Sequence, residues 1–209
     1  MLVKMSECAR TVSSMTRVIF HTATTLNGFL ADDQDSLSWL FAVPGADDAE
    51  NDFGDFLAGV GALIMGSTTY EWVVEHERLL EQPERWVYEG KASFVMSSRD
   101  LPVVAGADVR FRSGDITAIW GELVTAAGEK DVWIVGGGEL VGQFADAGLL
   151  DEIRVSIAPA TLPSGRPLLP RRLESDRLRL ESARQAGQFA ELVYSVRPVT
   201  SNAPADSDD

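Results

Sequence analysis

The pattern best suited to ligand chemistry is an apolar run that leads directly into three glycines and a helix start: Val132 to Val135, then Gly136, Gly137, Gly138, Glu139 and Leu140. A glycine carries no Cβ, so the backbone there can approach a ligand closely. The free N–H groups at the start of the following helix attract a diphosphate. The spacing is not G-x-G-x-x-G, so the fingerprint of Rossmann domains is not matched. A tight strand-to-helix turn without a ligand is the alternative interpretation.

Two further segments place hydroxyl groups directly after apolar strands. They are Gly66, Ser67, Thr68 and Thr69 in the first segment, and Ser97, Ser98 and Arg99 in the second. In the first, hydroxyls and N–H groups at a helix start suit phosphate oxygens, and Thr68 with Glu71 has the spacing of a capping box. In the second, two hydroxyls and a guanidinium suit a ribose or a 2′-phosphate. Taken alone, the first is equally a plain helix cap and the second a polar surface turn.

The elements that position these motifs alternate along the chain. Period-2 and buried-type patterns predict strands over 18–24, 62–65, 93–96, 109–112, 132–135 and 153–157, and a closing hairpin, 178–183 with 189–196, around Gly187. Helical spacing predicts helices over 50–60, from Thr68, after Asp115, and over 140–144 with Gly148 as the cap. This order predicts an α/β fold with a mostly parallel central sheet, an antiparallel C-terminal edge and helices on both faces. The three motifs fall at carboxyl ends of strands, where such sheets bind ligands.

Composition limits the classes of partner. The chain has 209 residues and 18 Lys and Arg against 32 Asp and Glu, a net charge of −14, which disfavours nucleic acid and anionic membranes as partners. The single cysteine, Cys8, allows no internal disulfide, and His21 and His76 have no partners at metal-ligand spacing, so we expect no metal site. No apolar run approaches the ~20 residues that span a bilayer, and we expect a cytoplasmic protein.

We predict a flexible leader (1–16), one domain (17–197) and a disordered acidic tail (198–209).

The order of the motifs resembles the dihydrofolate reductase superfamily. The motifs that carry the resemblance are Asn27-Gly28, Gly66-x-Thr68-Thr69-Tyr70, Ser97-Ser98-Arg99 and Val135 to Glu139. The stretch from Asp131 to Pro170, with Leu149-Leu150-Asp151-Glu152, is most similar to the reductase domain of riboflavin biosynthesis and its stand-alone relatives. The resemblance covers residues 17–197.

The resemblance implies NADPH as the cofactor, with NADH as the alternative. It implies that Gly136 to Glu139 cradle the diphosphate between Val135 and Leu140, helped by Gly66, Ser67, Thr68 and Thr69; that Ser97, Ser98 and Arg99 face the adenosine ribose; and that Ala23, Asn27 and Gly28 lie near the nicotinamide. Two positions depart from the family pattern. Ser67 stands where the family often has Arg, which removes a cation from the 2′-phosphate region, and Asn27 stands where riboflavin-type reductases often have Asp.

A reductase also needs a proton donor. The resemblance places an acid on the helix before the second long strand, where Glu50 is the candidate; Asp32 and Asn27 in the first loop are the other candidate catalytic residues. Trp39 and Phe53 are the candidate substrate contacts. Surface carboxylates and core aromatics are the alternative interpretations of these residues.

The sequence therefore favours an NAD(P)H-dependent reductase of a small heterocyclic or ribosyl-type substrate, similar to 5-amino-6-(5-phosphoribosylamino)uracil reductase. Two alternatives stay open: a dihydrofolate reductase, and a catalytically silent nucleotide-binding or dimerising protein of the same fold. The H-x-E and C-x-x-C pattern of zinc deaminases is absent from the chain. From the resemblance and the apolar alternation of the closing strands we expect a homodimer.

Overall fold

The computed structural model describes residues 16–44 and 50–198, with the backbone alone for residues 50–52. All of the predicted acidic tail except Pro198, and all of the predicted leader except its last residue, lie outside the described residues. That last residue, Thr16, is buried, and its hydroxyl donates to the carbonyl of Gly128 at 3.1 Å. Thr16 is thus attached to the folded part of the chain.

Strands and helices alternate as the periodicity predicts. The strands are β1 (Val18–Thr25), β2 (Phe29–Ala31), β3 (Val60–Gly66), β4 (Ala92–Met96), β5 (Val109–Arg112), β6 (Asp131–Gly136), β7 (Glu152–Ala158), β8 (Arg166–Pro167), β9 (Leu178–Ala186) and β10 (Phe189–Val196). The helices are α1 (Ser38–Phe41), α2 (Glu50–Ala58), α3 (Ser67–His76), α4 (Ile116–Ala127) and α5 (Gly138–Asp146), with a 3₁₀ turn at Pro83–Arg85.

Within the described residues, eight strands form one sheet in the order β5-β4-β3-β6-β1-β7-β10-β9. All pairs from β5 to β7 are parallel, whereas β10 is antiparallel to β7 and to β9. The predicted α/β fold, mostly parallel with an antiparallel C-terminal edge, is confirmed. A second sheet pairs the short strands β2 and β8, and it joins the first loop to the loop after β7.

The core fills both faces of the sheet because alternate residues of the buried strands point to opposite sides. Ile64 and Ile134 pack with residues of α4 and α5 on one face. Leu63 and Trp133 pack with residues of α2 and α3 on the other. Helices therefore cover both faces, as predicted.

Two local predictions differ from the structure. Helix α2 ends at Ala58, and Val60 opens β3 instead of continuing the helix. The capping box at Thr68 does not form, because α3 begins one residue earlier with Gly66 as its N-cap and without a side-chain cap. Glu71 is therefore free to bind Arg99 instead, with donor–acceptor distances of 2.9 and 2.5 Å.

Candidate functional site

Two helix N-termini meet at one edge of the sheet. Strands β3 and β6 are parallel neighbours, so α3 and α5, which follow them directly, begin side by side. An added Cβ on Gly136 would lie 3.3 Å from Oγ1 of Thr69, and one on Gly66 would lie 3.9 Å from the amide nitrogen of Gly137. Both turns line a cleft of about 900 Å³, a size typical of small-molecule and cofactor sites.

Neither helix start is capped by a side chain. The N-caps of α3 and α5 are Gly66 and Gly137, and both helices lack a side-chain cap hydrogen bond. The first N–H groups of a helix have no intrahelical partner, and they carry the positive end of the helix dipole. This edge of the sheet therefore presents two neighbouring groups of N–H donors to the cleft.

The three glycines serve different purposes. A Cβ on Gly138 would lie 2.2 Å from the carbonyl oxygen of Pro167, so only glycine lets β8 pass at this distance. The backbone of Gly137 does not require glycine, because its φ of −92° suits any residue. A Cβ on Gly137 would also meet no atom within 4 Å. At Gly137 the missing side chain leaves space in the cleft itself. The peptide bond between Gly136 and Gly137 is cis.

Most of the predicted nucleotide-binding residues line this cleft. They are Ala23, Gly66, Ser67, Thr68, Thr69, Ser97, Ser98, Val135, Gly136, Gly137, Gly138, Glu139 and Leu140. Two predicted residues do not line it. Gly28 forms the turn after β1 with φ of +82°, and its carbonyl accepts a hydrogen bond from Leu168 at 2.9 Å. Arg99 is bound by Glu71 as described above.

Two of the three predicted catalytic residues, Asn27 and Asp32, do not line the cleft. Asn27 ties two loops together, since its side chain donates to the carbonyl of Leu162 at 2.7 Å. The carboxylate of Asp32 accepts hydrogen bonds from the N–H groups of Gln34 and Ser36, at 2.8 and 2.9 Å, and so shapes its own loop. The side chain of Glu50 lies outside the described residues.

One of the two predicted substrate contacts lies at the cleft. Trp39 lines the cleft. Phe53 does not line it, because α2 covers the sheet face where Phe53 packs against the rings of His21 and Trp133, with centroids 6.0 and 5.4 Å apart. The tryptophans at the cleft are Trp39 and Trp72.

Sequence reasoning missed an ion pair and an apolar wall in the cleft. Arg166 binds Asp35 through two hydrogen bonds of 2.6 and 2.9 Å, and both side chains line the cleft. The apolar wall consists of Leu30, Leu37, Trp39, Leu40 and Trp72. The signal for the wall was the apolar cluster around Trp39. No local pattern indicated the ion pair, whose partners are 131 residues apart.

The carboxylate of Glu139 lies at the start of α5 but is already paired. Arg171 donates to both of its oxygens, at 2.6 and 3.0 Å. The hydrogen bond to Arg171 holds the pKa of Glu139 below its usual range. Arg171 also binds Asp146 at 2.7 Å, so its charge is shared between two carboxylates.

The described part of the chain holds no group of three or more His, Cys, Asp or Glu residues arranged to bind a metal ion. None of its helices has the length and hydrophobicity that crossing a membrane requires.

Comparison with known proteins identifies a family and several similar proteins. The model of the family described as the RibD C-terminal domain matches residues 16–190. Two proteins of Bacillus subtilis (strain 168) are similar in sequence. The uncharacterized protein YwjB is 29% identical over 178 residues, which are 85% of this chain and 97% of YwjB. The uncharacterized protein YyaP is 28% identical over 157 residues, which are 73% of this chain and 79% of YyaP.

Solved structures share the fold. A Shewanella sp. PV-4 protein with a provisional riboflavin-biosynthesis name is 26% identical with a TM-score of 0.71, over 88% of this chain and 99% of that one. RibD of Acinetobacter baumannii is 20% identical with a TM-score of 0.62, over 88% of this chain but only 59% of RibD. A pyrimidine reductase-like protein of Corynebacterium diphtheriae is 16% identical with a TM-score of 0.57, over 87% of this chain and 92% of that one.

Proposed function

The chain belongs to the family of RibD C-terminal domains, and we propose that it is an NAD(P)H-dependent reductase of a small heterocyclic or ribosyl-type substrate. The observation that carries this proposal is the pair of uncapped helix N-termini, α3 and α5, beside a glycine turn in one cleft. Two adjacent groups of N–H donors match the two phosphates of a dinucleotide, because helix N-termini bind anions.

The residues present fit such a cofactor. The space at Gly137, where a Cβ would meet no protein atom, lets a diphosphate approach the backbone. Ser67 and Thr68 add hydroxyl groups at the start of α3. We assign Ser97 and Ser98, which line the cleft, to the adenosine ribose, and Ala23, which lines it from β1, to the nicotinamide.

The chemistry divides between the cofactor and the chain. When bound, the nicotinamide supplies a hydride to the electron-poor carbon of a C=O or C=N bond. The electron pair of that bond moves to its oxygen or nitrogen, which then takes a proton. Glu139 is held ionised by Arg171, and Asp35 is bound to Arg166. We therefore infer that water in the open cleft delivers the proton.

A catalytically silent nucleotide-binding protein is the second candidate. It is favoured by Asp32, the carboxylate predicted as a donor, which is engaged by the backbone of its own loop. Nucleotide binding without turnover of any carbonyl, imine or dihydrofolate substrate would favour this candidate.

Titration with NADPH and with NADH tests the proposal, with protein fluorescence as the readout. Trp39 and Trp72 line the cleft, so their emission is expected to respond, whereas Trp133 is 4% exposed and does not line it. We expect micromolar binding of at least one nucleotide. Gly137→Ala is expected to weaken it at least tenfold, because the methyl group fills the space at the diphosphate without touching the protein.

Gly121→Ala is the matched control, since Gly121 lies on the exposed face of α4 with open space around it. It is expected to leave nucleotide binding unchanged. Failure of both nucleotides to bind at millimolar concentration would refute the cofactor assignment. Equal binding by wild type and Gly137→Ala would refute the role of the glycine turn.

A further inference from the structure

The charges in the cleft are already neutralised within the protein. Among the cleft residues that the structure describes, three carry a charge: Asp35, Glu139 and Arg166. Arg166 is bound by both oxygens of Asp35, and Glu139 by Arg171. The lining thus has a net charge of −1 (one Arg against one Asp and one Glu), and its single cation already holds a carboxylate.

The backbone fixes both partners of the Asp35–Arg166 pair. Asp35 adopts φ of +60°, and its N–H donates to the carbonyl of Asp32 at 3.1 Å. Arg166 lies in β8 opposite Ala31, and a Cβ on the preceding Gly165 would lie 2.1 Å from the carbonyl oxygen of Ala31. The pair is therefore assembled before any ligand arrives. An anion that used Arg166 would have to displace Asp35 or share the guanidinium with it.

The electrostatic surroundings act in the same direction. Asp35, through hydrogen bonds and charge, and Asp33, through charge, raise the pKa of Arg166. With a net charge of −14 for the whole chain, a negatively charged substrate meets repulsion on approach.

The rest of the substrate region is apolar. The wall of Leu30, Leu37, Trp39, Leu40 and Trp72 offers two indole rings and three aliphatic side chains. Trp39 and Leu40 pack against a small core of Val43, Ala158 and Phe189, which holds this part of the wall in place. Such a surface gains free energy by covering an aromatic ring, and it offers no cation to a phosphate or a carboxylate.

We propose that the substrate is an uncharged aromatic or heteroaromatic carbonyl or imine, and that Asp35, by occupying Arg166, is the residue that excludes compounds bearing a phosphate or carboxylate. This inference rests on the proposed reductase function and narrows it, since a phosphoribosyl compound would be rejected. Exclusion by an unfavourable charge is a common route to specificity.

A matched pair of probes tests the inference: 2-naphthaldehyde, which is uncharged, and 6-formyl-2-naphthoate, which adds one carboxylate. Their binding is measured through quenching of cleft tryptophan fluorescence, with and without saturating oxidised nucleotide. We expect the aldehyde to bind at least tenfold more tightly than the carboxylate. In Asp35→Asn the carboxylate is expected to bind about tenfold more tightly than in wild type, and the aldehyde to change by less than twofold.

Asparagine tolerates a positive φ, so this substitution keeps the backbone of the loop. Asp146→Asn is the control, because it removes an equal charge from an Arg-bound carboxylate that does not line the cleft. Asp146→Asn is expected to leave the ratio of the dissociation constants of 2-naphthaldehyde and 6-formyl-2-naphthoate unchanged.

Three results would overturn the inference: equal or tighter binding of the carboxylate by wild type, no binding of the aldehyde, or an unchanged preference in Asp35→Asn. Because nucleotide binding is measured separately, failure of the reductase proposal is distinguishable from failure of this one.

Discussion

Single residues set the balance of charge at the end of the cleft where we propose that the adenosine binds. Ser67 supplies a hydroxyl where the family often has a cation, and the guanidinium of Arg99 is held by Glu71. Ser97 does not compensate, because its hydroxyl bonds to the backbone N–H and carbonyl of Arg99. A 2′-phosphate in this region would therefore compete with Glu71 for the nearest arginine.

Glu71→Gln is expected to favour NADPH over NADH. Without the carboxylate, Arg99 becomes available to the 2′-phosphate of NADPH. NADH has no 2′-phosphate, so its binding is not expected to become tighter. Exposed ion pairs contribute ~0.2–1 kcal/mol, so we expect the ratio of the two dissociation constants to shift by about threefold. The measurement is fluorescence titration with both nucleotides.

Glu75→Gln, one turn further along α3 and exposed, removes the same charge and is expected to leave the ratio unchanged. An unchanged ratio in Glu71→Gln would mean that Arg99 does not reach the 2′-phosphate.

At the scale of elements, the position of α4 on the sheet depends on one glycine. A Cβ on Gly61 in β3 would lie 2.1 Å from the carbonyl oxygen of Ala127, the last residue of α4. Both contacting groups belong to regular elements, so neither is free to move alone. Asp115 caps the other end of α4 by accepting a hydrogen bond from the N–H of Thr117 at 2.8 Å.

Gly61→Ala is expected to lower the free energy of unfolding by ~2–3 kcal/mol, because the added methyl group overpacks a backbone contact. Gly121→Ala, in the exposed face of the same helix, is expected to raise it by ~0.5–1 kcal/mol, because alanine loses less conformational freedom in a helix. Urea unfolding measures both, through the midpoint at constant m-value. A neutral Gly61→Ala would show that α4 does not rest on β3 as described.

At the scale of the whole molecule, one buried imidazole links folding to pH. Burial, together with the nearby charge of Arg154, lowers the pKa of His21 from 6.5 to about 4. The Nδ1 atom of His21 is buried and has no hydrogen-bond partner among the described residues. Between pH 6.5 and pH 4 the unfolded imidazole is protonated and the folded one is not, so the unfolded state gains stability as the pH falls.

His21→Leu is therefore expected to flatten the acid side of the stability curve. The wild-type free energy of unfolding should lose ~1 kcal/mol per pH unit from this residue, and ~3 kcal/mol in all by pH 4. Urea unfolding at several pH values between 7.5 and 4 measures the slope. Arg154→Met removes the positive charge that helps to lower the pKa of His21, so it is expected to reduce in part the dependence of the free energy of unfolding on pH. Identical slopes in wild type and His21→Leu would show that His21 does not titrate as described.

Part of the cleft follows from short-range patterns. The glycines at 136–138 and the hydroxyl groups at 67–69 mark helix starts after apolar strands, and neighbouring strands then bring the two starts together. The assignments of NADPH or NADH to the cleft, of a homodimer and of a cytoplasmic location stay predictions.

Other features depended on how distant segments meet. The spacing of Phe53 with Phe56 correctly marks a helix face, but it does not tell what that face contacts, and Phe53 packs against His21 and Trp133 instead of lining the cleft. Thr68 and Glu71 match a capping box, yet the helix starts one residue earlier and Arg99 takes the carboxylate.

The sequence by itself determined the α/β order, the glycine turn and the acidic balance of this protein, because periodicity, backbone freedom and charge are local or additive properties. Only the tertiary structure decided which charged side chains are paired within the protein and which are available to a ligand. Asp35 meets Arg166 across 131 residues, and Glu139 meets Arg171 across 32. Such pairs depend on the path of the chain through β2 and β8 and past α5, which no local pattern specifies.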